Sequence, residues 1–195
     1  MTRIAFASTV ASTLAISALM ASAAHAAPET YSVDPTHTFV TFEAKHFGTS
    51  TNRGRFDKKS GTVVLDKAAK TGKVDISIDM ASINTGTTPF DGHLKSADFF
   101  NVEKFTTATF TSDKLVFTGD KVTAVQGKLT LLGKTQAVTL TGAGTNCYEN
   151  PRLKREVCGG DFETTIKRSD FGMSYGLPGI PDDVKLLIQV EAIKQ

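Results

Sequence analysis

Apolar and polar residues alternate at period two along most of this chain. Across Lys73–Met80, the residues Val74, Ile76, Ile78 and Met80 fall on one face, and Lys73, Asp75, Ser77 and Asp79 fall on the other. That pattern marks a strand with one buried side. The stretch Asp34–Gly48 sets Val40, Phe42 and Ala44 against Thr41, Glu43 and Lys45, so it reads as a strand throughout. Further strands are predicted at Thr62–Asp66, at Thr107–Ser112 with Ala108 and Phe110 inward, and at Leu115–Phe117 running into a Gly119-Asp120 turn. Lys121–Leu132 carries Val125, Gly127, Leu129 and Leu131 on one side. Gln136–Thr141 follows a Gly133-Lys134 hairpin turn. Phe162, Thr164, Ile166 and Arg168 alternate again, and Val184–Ile193 closes the chain with Val184, Leu186, Ile188, Val190 and Ala192 on one face.

Roughly eight to ten strands at short intervals, with no repeat and no linker, predict a single all-β domain, an antiparallel barrel or sandwich. Helical spacing is confined to Phe90–Phe100, where Leu94, Ala97 and Phe100 recur, with a further turn near Asn101–Phe105. The chain holds 13 phenylalanines and no tryptophan. Phenylalanine buries without needing a hydrogen-bond partner, so a phenylalanine-rich interior suits a plain core and an apolar cavity equally.

The first 26 residues stand apart. Arg3 precedes an uncharged run from Ile4 to Ala21, and Ala24-His25-Ala26 supplies a small-x-small pattern. This reads as an export leader cleaved near Ala26. The remaining residues, 27–195, carry 21 basic and 20 acidic side chains. Neither sign clusters, so nothing points to a nucleic-acid partner. Cys147 and Cys158 are the only cysteines. In an oxidising compartment an even pair predicts a disulfide, worth about 3 kcal/mol for a loop of this size. Two cysteines alone do not supply the three or four ligands of a zinc site.

Chemistry-bearing motifs are weak. On a straight strand His37 and His46 would stand roughly 30 Å apart and on opposite faces, so they read as strand-end histidines near a barrel rim. His93 lies in the helical segment; a metal site joining it to one strand histidine and a carboxylate is the alternative. Gly172-Met173-Ser174-Tyr175-Gly176 has the spacing of a nucleophile elbow. However, Pro178 and Pro181 oppose the helix that motif requires, and no histidine follows Ser174. Asp170-Phe171-Gly172 lacks the rest of a kinase signature. Asp75 and Asp79 lie on a solvent face, Asp91 and Asp98 flank the helix, and Arg53 and Arg55 belong to a solvated turn. No catalytic residue, cofactor or metal is expected.

Six segments in order and register carry a resemblance. They are Phe39–Gly48, Gly54-Arg55-Phe56, the strand at Val74, Asp98-Phe99-Phe100 with Phe105–Phe110, Gly127–Gly133, and Arg168–Gly172. Together they resemble the YceI-like family over nearly all of Tyr31–Ile193. The resemblance implies a lipocalin-like antiparallel barrel with a helical segment over it. It also implies export to the periplasm, frequent dimerisation, and binding of a polyisoprenoid or quinone-like lipid without stable membrane insertion. Two departures are a threonine, Thr106, where the family commonly has proline, and the Cys147–Cys158 elaboration. On this reading the ligand site comprises Val40, Phe42, Ala44, Phe56, Ile76, Ile78, Phe110, Leu129, Leu131, Phe162 and Ile166, with His46, Arg55 or Arg168 at the rim meeting a polar head. A homodimer is also expected. The competing expectation is a stress-related structural barrel without a physiological ligand.

Overall fold

A computed structural model describes residues 27–195; the expected leader, residues 1–26, lies outside the described residues. Twelve strands follow in order: β1 (Glu29–Val33), β2 (Phe39–His46), β3 (Ser50–Phe56), β4 (Lys59–Asp66), β5 (Thr71–Asp79), β6 (Ile83–Asn84), β7 (Thr107–Thr118), β8 (Lys121–Leu131), β9 (Lys134–Gly142), β10 (Asn146–Asn150), β11 (Arg155–Lys167) and β12 (Asp183–Lys194). One helix, α1 (Thr88–Lys95), lies between β6 and β7.

Eight of these strands close a ring in the order β11, β9, β8, β7, β5, β4, β1, β12 and back to β11, every pairing antiparallel. β12 makes the closure. One of its edges pairs with β11 from Asp183 to Ile193; the other is shared between β2, at Lys185–Gln189, and β1, at Ala192–Lys194. β3 and β6 continue outward from β2. β10 hangs on the start of β11, and Cys147 faces Cys158 across that pair in a disulfide. The joint between β9 and β11 is the shortest in the ring, with only Phe162 opposite Gly142 and Glu163 opposite Thr141.

Alternation decides the two faces. Lys73, Asp75 and Ser77 are outside, and Val74, Ile76 and Ile78 inside. β7 joins two segments expected to be separate strands. An irregularity between Thr111 and Lys114 adds a residue, so Phe110 and Leu115, an odd number apart, both point inward. The Ser112 hydroxyl accepts from Lys114 N–H at 3.0 Å and donates to the Gln126 carbonyl at 2.7 Å, holding the bulge. The β8–β9 turn is centred on Leu132 and Gly133, one residue earlier than expected. Both have positive φ, 52° and 72°, as tight antiparallel hairpins require.

Several expectations are corrected. The helix starts at Thr88, with Pro89 in its first turn, and ends at Lys95 rather than reaching Phe100. Asn101, at φ 43°, turns the chain back, and Ala97 is exposed. His37 is not on a strand. Asp34 accepts from Thr36 N–H at 2.8 Å and from the Thr36 hydroxyl at 2.6 Å, and this local turn holds the chain until β2 begins at Phe39. Arg168 is not at a free rim. It is 3% exposed, in a short 3₁₀ turn after β11. Its guanidinium donates to the carbonyls of Pro181, Met173, Tyr175 and Ile180 at 2.8–3.1 Å. It therefore ties the 173–181 loop to the barrel end, with four of its five N–H donors held by backbone carbonyls.

Replacing Arg168 by methionine is expected to cost on the order of 3–5 kcal/mol, because four carbonyls lose a charged donor. Urea unfolding checks this; a loss below about 1 kcal/mol would contradict the tie.

Candidate functional site

The inward faces do not fill the barrel completely. A cavity of about 160 Å³ remains, walled almost wholly by aliphatic and aromatic side chains. It runs from Ile78, Leu129, Val138 and Leu186 toward Leu65, Val122, Thr145 and Ala192, near the β4–β5 and β7–β8 turns. The opposite end, under α1, is packed shut. There Phe42, Phe56 and Phe100 meet with ring centroids 5.5–6.5 Å apart, backed by Met80, Leu94, Leu131 and Phe171.

The structure divides the residues expected at a ligand site. Val40, Ile76, Ile78, Phe110, Leu129 and Phe162 line the cavity. Phe42, Phe56, Leu131 and Ile166 are buried beside it in the packed core. Ala44 is partly buried near the end of β2. The two remaining rim residues are solvent-facing at positions away from the cavity. His46 is exposed at the tip of the β2–β3 hairpin, its ring edge-on to Phe47 at 4.7 Å. Arg55 is exposed, its guanidinium over the Phe39 ring and paired with Asp57 at 2.8 Å.

Much of the wall was not anticipated as site: Tyr31, Val63, Leu65, Leu115, Val122, Val138 and Leu140. Most lie on strands whose alternation was legible, and the β12 residues Leu186, Ile188, Val190 and Ala192 shared a readable face. Tyr31 had no such signal, because β1 is only five residues long. Nor did Lys59, which occupies an inward register position opposite Ile78 yet is only 7% exposed. Its ammonium lies 4.3 Å from the Phe39 ring centre and donates to the Asp57 carbonyl at 3.3 Å. Burial lowers its pKa.

Metal-type donors gather at two places among the described residues. Cys147, Glu156 and Cys158 form one group, but its sulfurs are spent in the disulfide. Asp34, His37 and Glu191 form the other, with His37 Nδ1 already 2.7 Å from Asp34 Oδ2. His93 joins neither; its ring packs edge-on to Phe99 and Tyr175 at 4.9 and 5.7 Å. Ser174 is followed by turns up to β12, not by the helix of a nucleophile elbow. No helix among the described residues is long and apolar enough to cross a membrane.

The YceI-like domain family matches residues 31–192. The chain belongs to the YceI-like family. Protein YceI of Escherichia coli O6:H1 is 36% identical over 93% of this chain and 96% of its own length. Among solved structures, the YCEI protein of Campylobacter jejuni is 30% identical, with a TM-score of 0.67 over 77% of this chain and 90% of that one. A polyisoprenoid binding domain from Saccharophagus degradans is 20% identical, with a TM-score of 0.63 over 85% and 98%, and shares the fold. The barrel of this chain has an apolar interior wall and charged, exposed outward positions such as Lys73 and Asp75.

The Asp34–His37 pair gives a pH signature. Burial alone would raise the Asp34 carboxyl, but hydrogen bonds from His37 and Thr36 outweigh it and hold it at about 2. The hydrogen bond to Asp34 raises the His37 pKa. The Asp34 contribution to stability is present above its unfolded value of about 3.9 and is lost as pH falls toward 2. The His37 contribution is complete below about 6.5 and is lost as pH rises through its folded value. NMR titration is expected to place Asp34 near 2 and His37 above about 6.5, with His37→Ala returning Asp34 toward the ordinary carboxylate range. Ordinary values for both in the unaltered protein would contradict the pairing.

Proposed function

We propose that this protein binds a long apolar isoprenoid or quinone-like lipid inside its barrel and carries or stores it in the periplasm, with residues 1–26 as the export leader. The observation that carries the reading is the cavity itself: a closed ring of eight strands around a space with almost no polar wall. Such a space favours a ligand through apolar burial alone, at about 0.8 kcal/mol per methylene. Family membership and the shared fold of a polyisoprenoid binding domain support it.

Size sets a condition. An apolar cavity of about 150 Å³ admits benzene, so 160 Å³ takes about one isoprene unit before any side chain moves. A longer chain must widen the barrel. The β9–β11 joint, with its two residue pairs, is where the wall gives most cheaply, and Phe162 and Leu140 flank it on the cavity side. The small volume is also the observation that favours the second reading, a structural barrel with a filled interior.

Full-length protein, exported and purified without detergent, is expected to carry about one lipid per barrel by native mass spectrometry, released by organic extraction as an isoprenoid. Protein that arrives empty, and takes up no polyprenol when offered one, would favour the filled barrel.

A further inference from the structure

One group at the barrel end is short of a proton. The Tyr31 hydroxyl lies 2.6 Å from Glu156 Oε1 and 2.8 Å from Glu29 Oε2. A phenol has a single O–H and satisfies one of these oxygens at a time. Lys67 donates to both oxygens of Glu156 at 2.7 and 2.9 Å, and Lys194 donates to Glu29 Oε1. These bonds hold both carboxyls below their ordinary range, so neither carboxyl brings the missing proton. Once Tyr31 donates to Glu156, Glu29 Oε2 faces an oxygen with no hydrogen between them. Every buried polar side-chain atom among the described residues has a partner by distance, while the two carboxylates of this cluster share the single Tyr31 proton.

The cluster sits where a ligand's head would end. Tyr31 is 1% exposed and its ring lines the cavity. Glu29 stands opposite Leu65, and Tyr31 opposite Val63 and Lys194. Leu65 and Val63 are cavity residues, so Glu29, Tyr31 and Lys194 continue the inward register to the end of the barrel. The Glu29 and Glu156 side chains are 33% and 28% exposed, so solvent reaches them.

We propose that Tyr31, Glu29 and Glu156, braced by Lys67 and Lys194, form a head-group site that selects a neutral hydrogen-bond donor, such as an alcohol or a quinol hydroxyl. The proposal rests on the apolar-chain reading above and adds the head to it. A hydroxyl reaching Glu29 Oε2 supplies the missing proton and replaces a water at no loss of hydrogen bonding. A quinone or an ether offers only acceptors and leaves the carboxylate facing lone pairs. A phosphate meets two carboxylates whose lysine partners are already engaged, so the site holds no surplus positive charge for it.

Competition binding with geranylgeraniol, its methyl ether and its monophosphate tests this, since all three share one tail. The alcohol is expected to bind about tenfold tighter than either of the others. In Glu29→Gln, checked for folding by its melting curve, the amide supplies the donor to Tyr31, and the gap between alcohol and ether falls to about twofold or less. Equal binding of all three to the unaltered protein would overturn the head site and leave the apolar-chain reading standing. Tightest binding of the monophosphate would also overturn it. Binding of none would overturn both.

Discussion

β12 is the strand on which the rest of the structure depends. It is hydrogen-bonded along both edges, to β11 on one side and to β2 and β1 on the other. Without that closure the sheet would be an open ribbon with two edges, and its apolar face would meet water. With it, the period-two pattern of every strand is forced into a single sense, apolar in and charged out. A one-residue slip anywhere in the ring would put a strand's whole apolar set into solvent. Two local devices keep the sense constant where the chain would lose it: the bulge held by Ser112 in β7, and the positive-φ turn at Leu132-Gly133.

The two ends of the barrel are built for different tasks. Under α1 the interior is filled by Phe42, Phe56 and Phe100, and Arg168 fastens the neighbouring loop by four carbonyl contacts. At the other end the aliphatic wall continues to Tyr31 and meets ionised side chains. An apolar lumen with one packed end and one polar end suits a molecule with a tail and a head. The short β9–β11 joint is the place where the ring opens with the least backbone pairing to lose.

Most of the barrel was legible in the alternation, because strands such as β5, β8 and β12 have one wet and one dry face and carry the pattern without interruption. The chemistry was less so. Arg168 shares its register with Phe162 and Ile166 and looked like a rim cation; burial against carbonyls is a tertiary event with no local signal. His37 looked like a strand residue because Thr38–Lys45 alternates, but the Asp34–Thr36 turn overrides extension just before it. His46, the rim histidine of the sequence pattern, lies toward the helix end, whereas the polar cluster of Glu29, Tyr31 and Glu156 stands at the opposite end. Its members come from β1, β11, β12 and the turn after β4, and no spacing in the chain joins Glu29 to Glu156.

The central claim is that the lumen, rather than any outer groove, receives the ligand and must widen to do so. Methyl-labelled NMR spectra recorded during titration with geranylgeraniol test it most directly. The account predicts shifts at Ile76, Ile78, Leu129, Leu140 and Ile188, with Ile83 and Leu94 at the packed end nearly still. Shifts confined to outward residues such as Leu187 and Leu153, or none at saturating ligand, would contradict it.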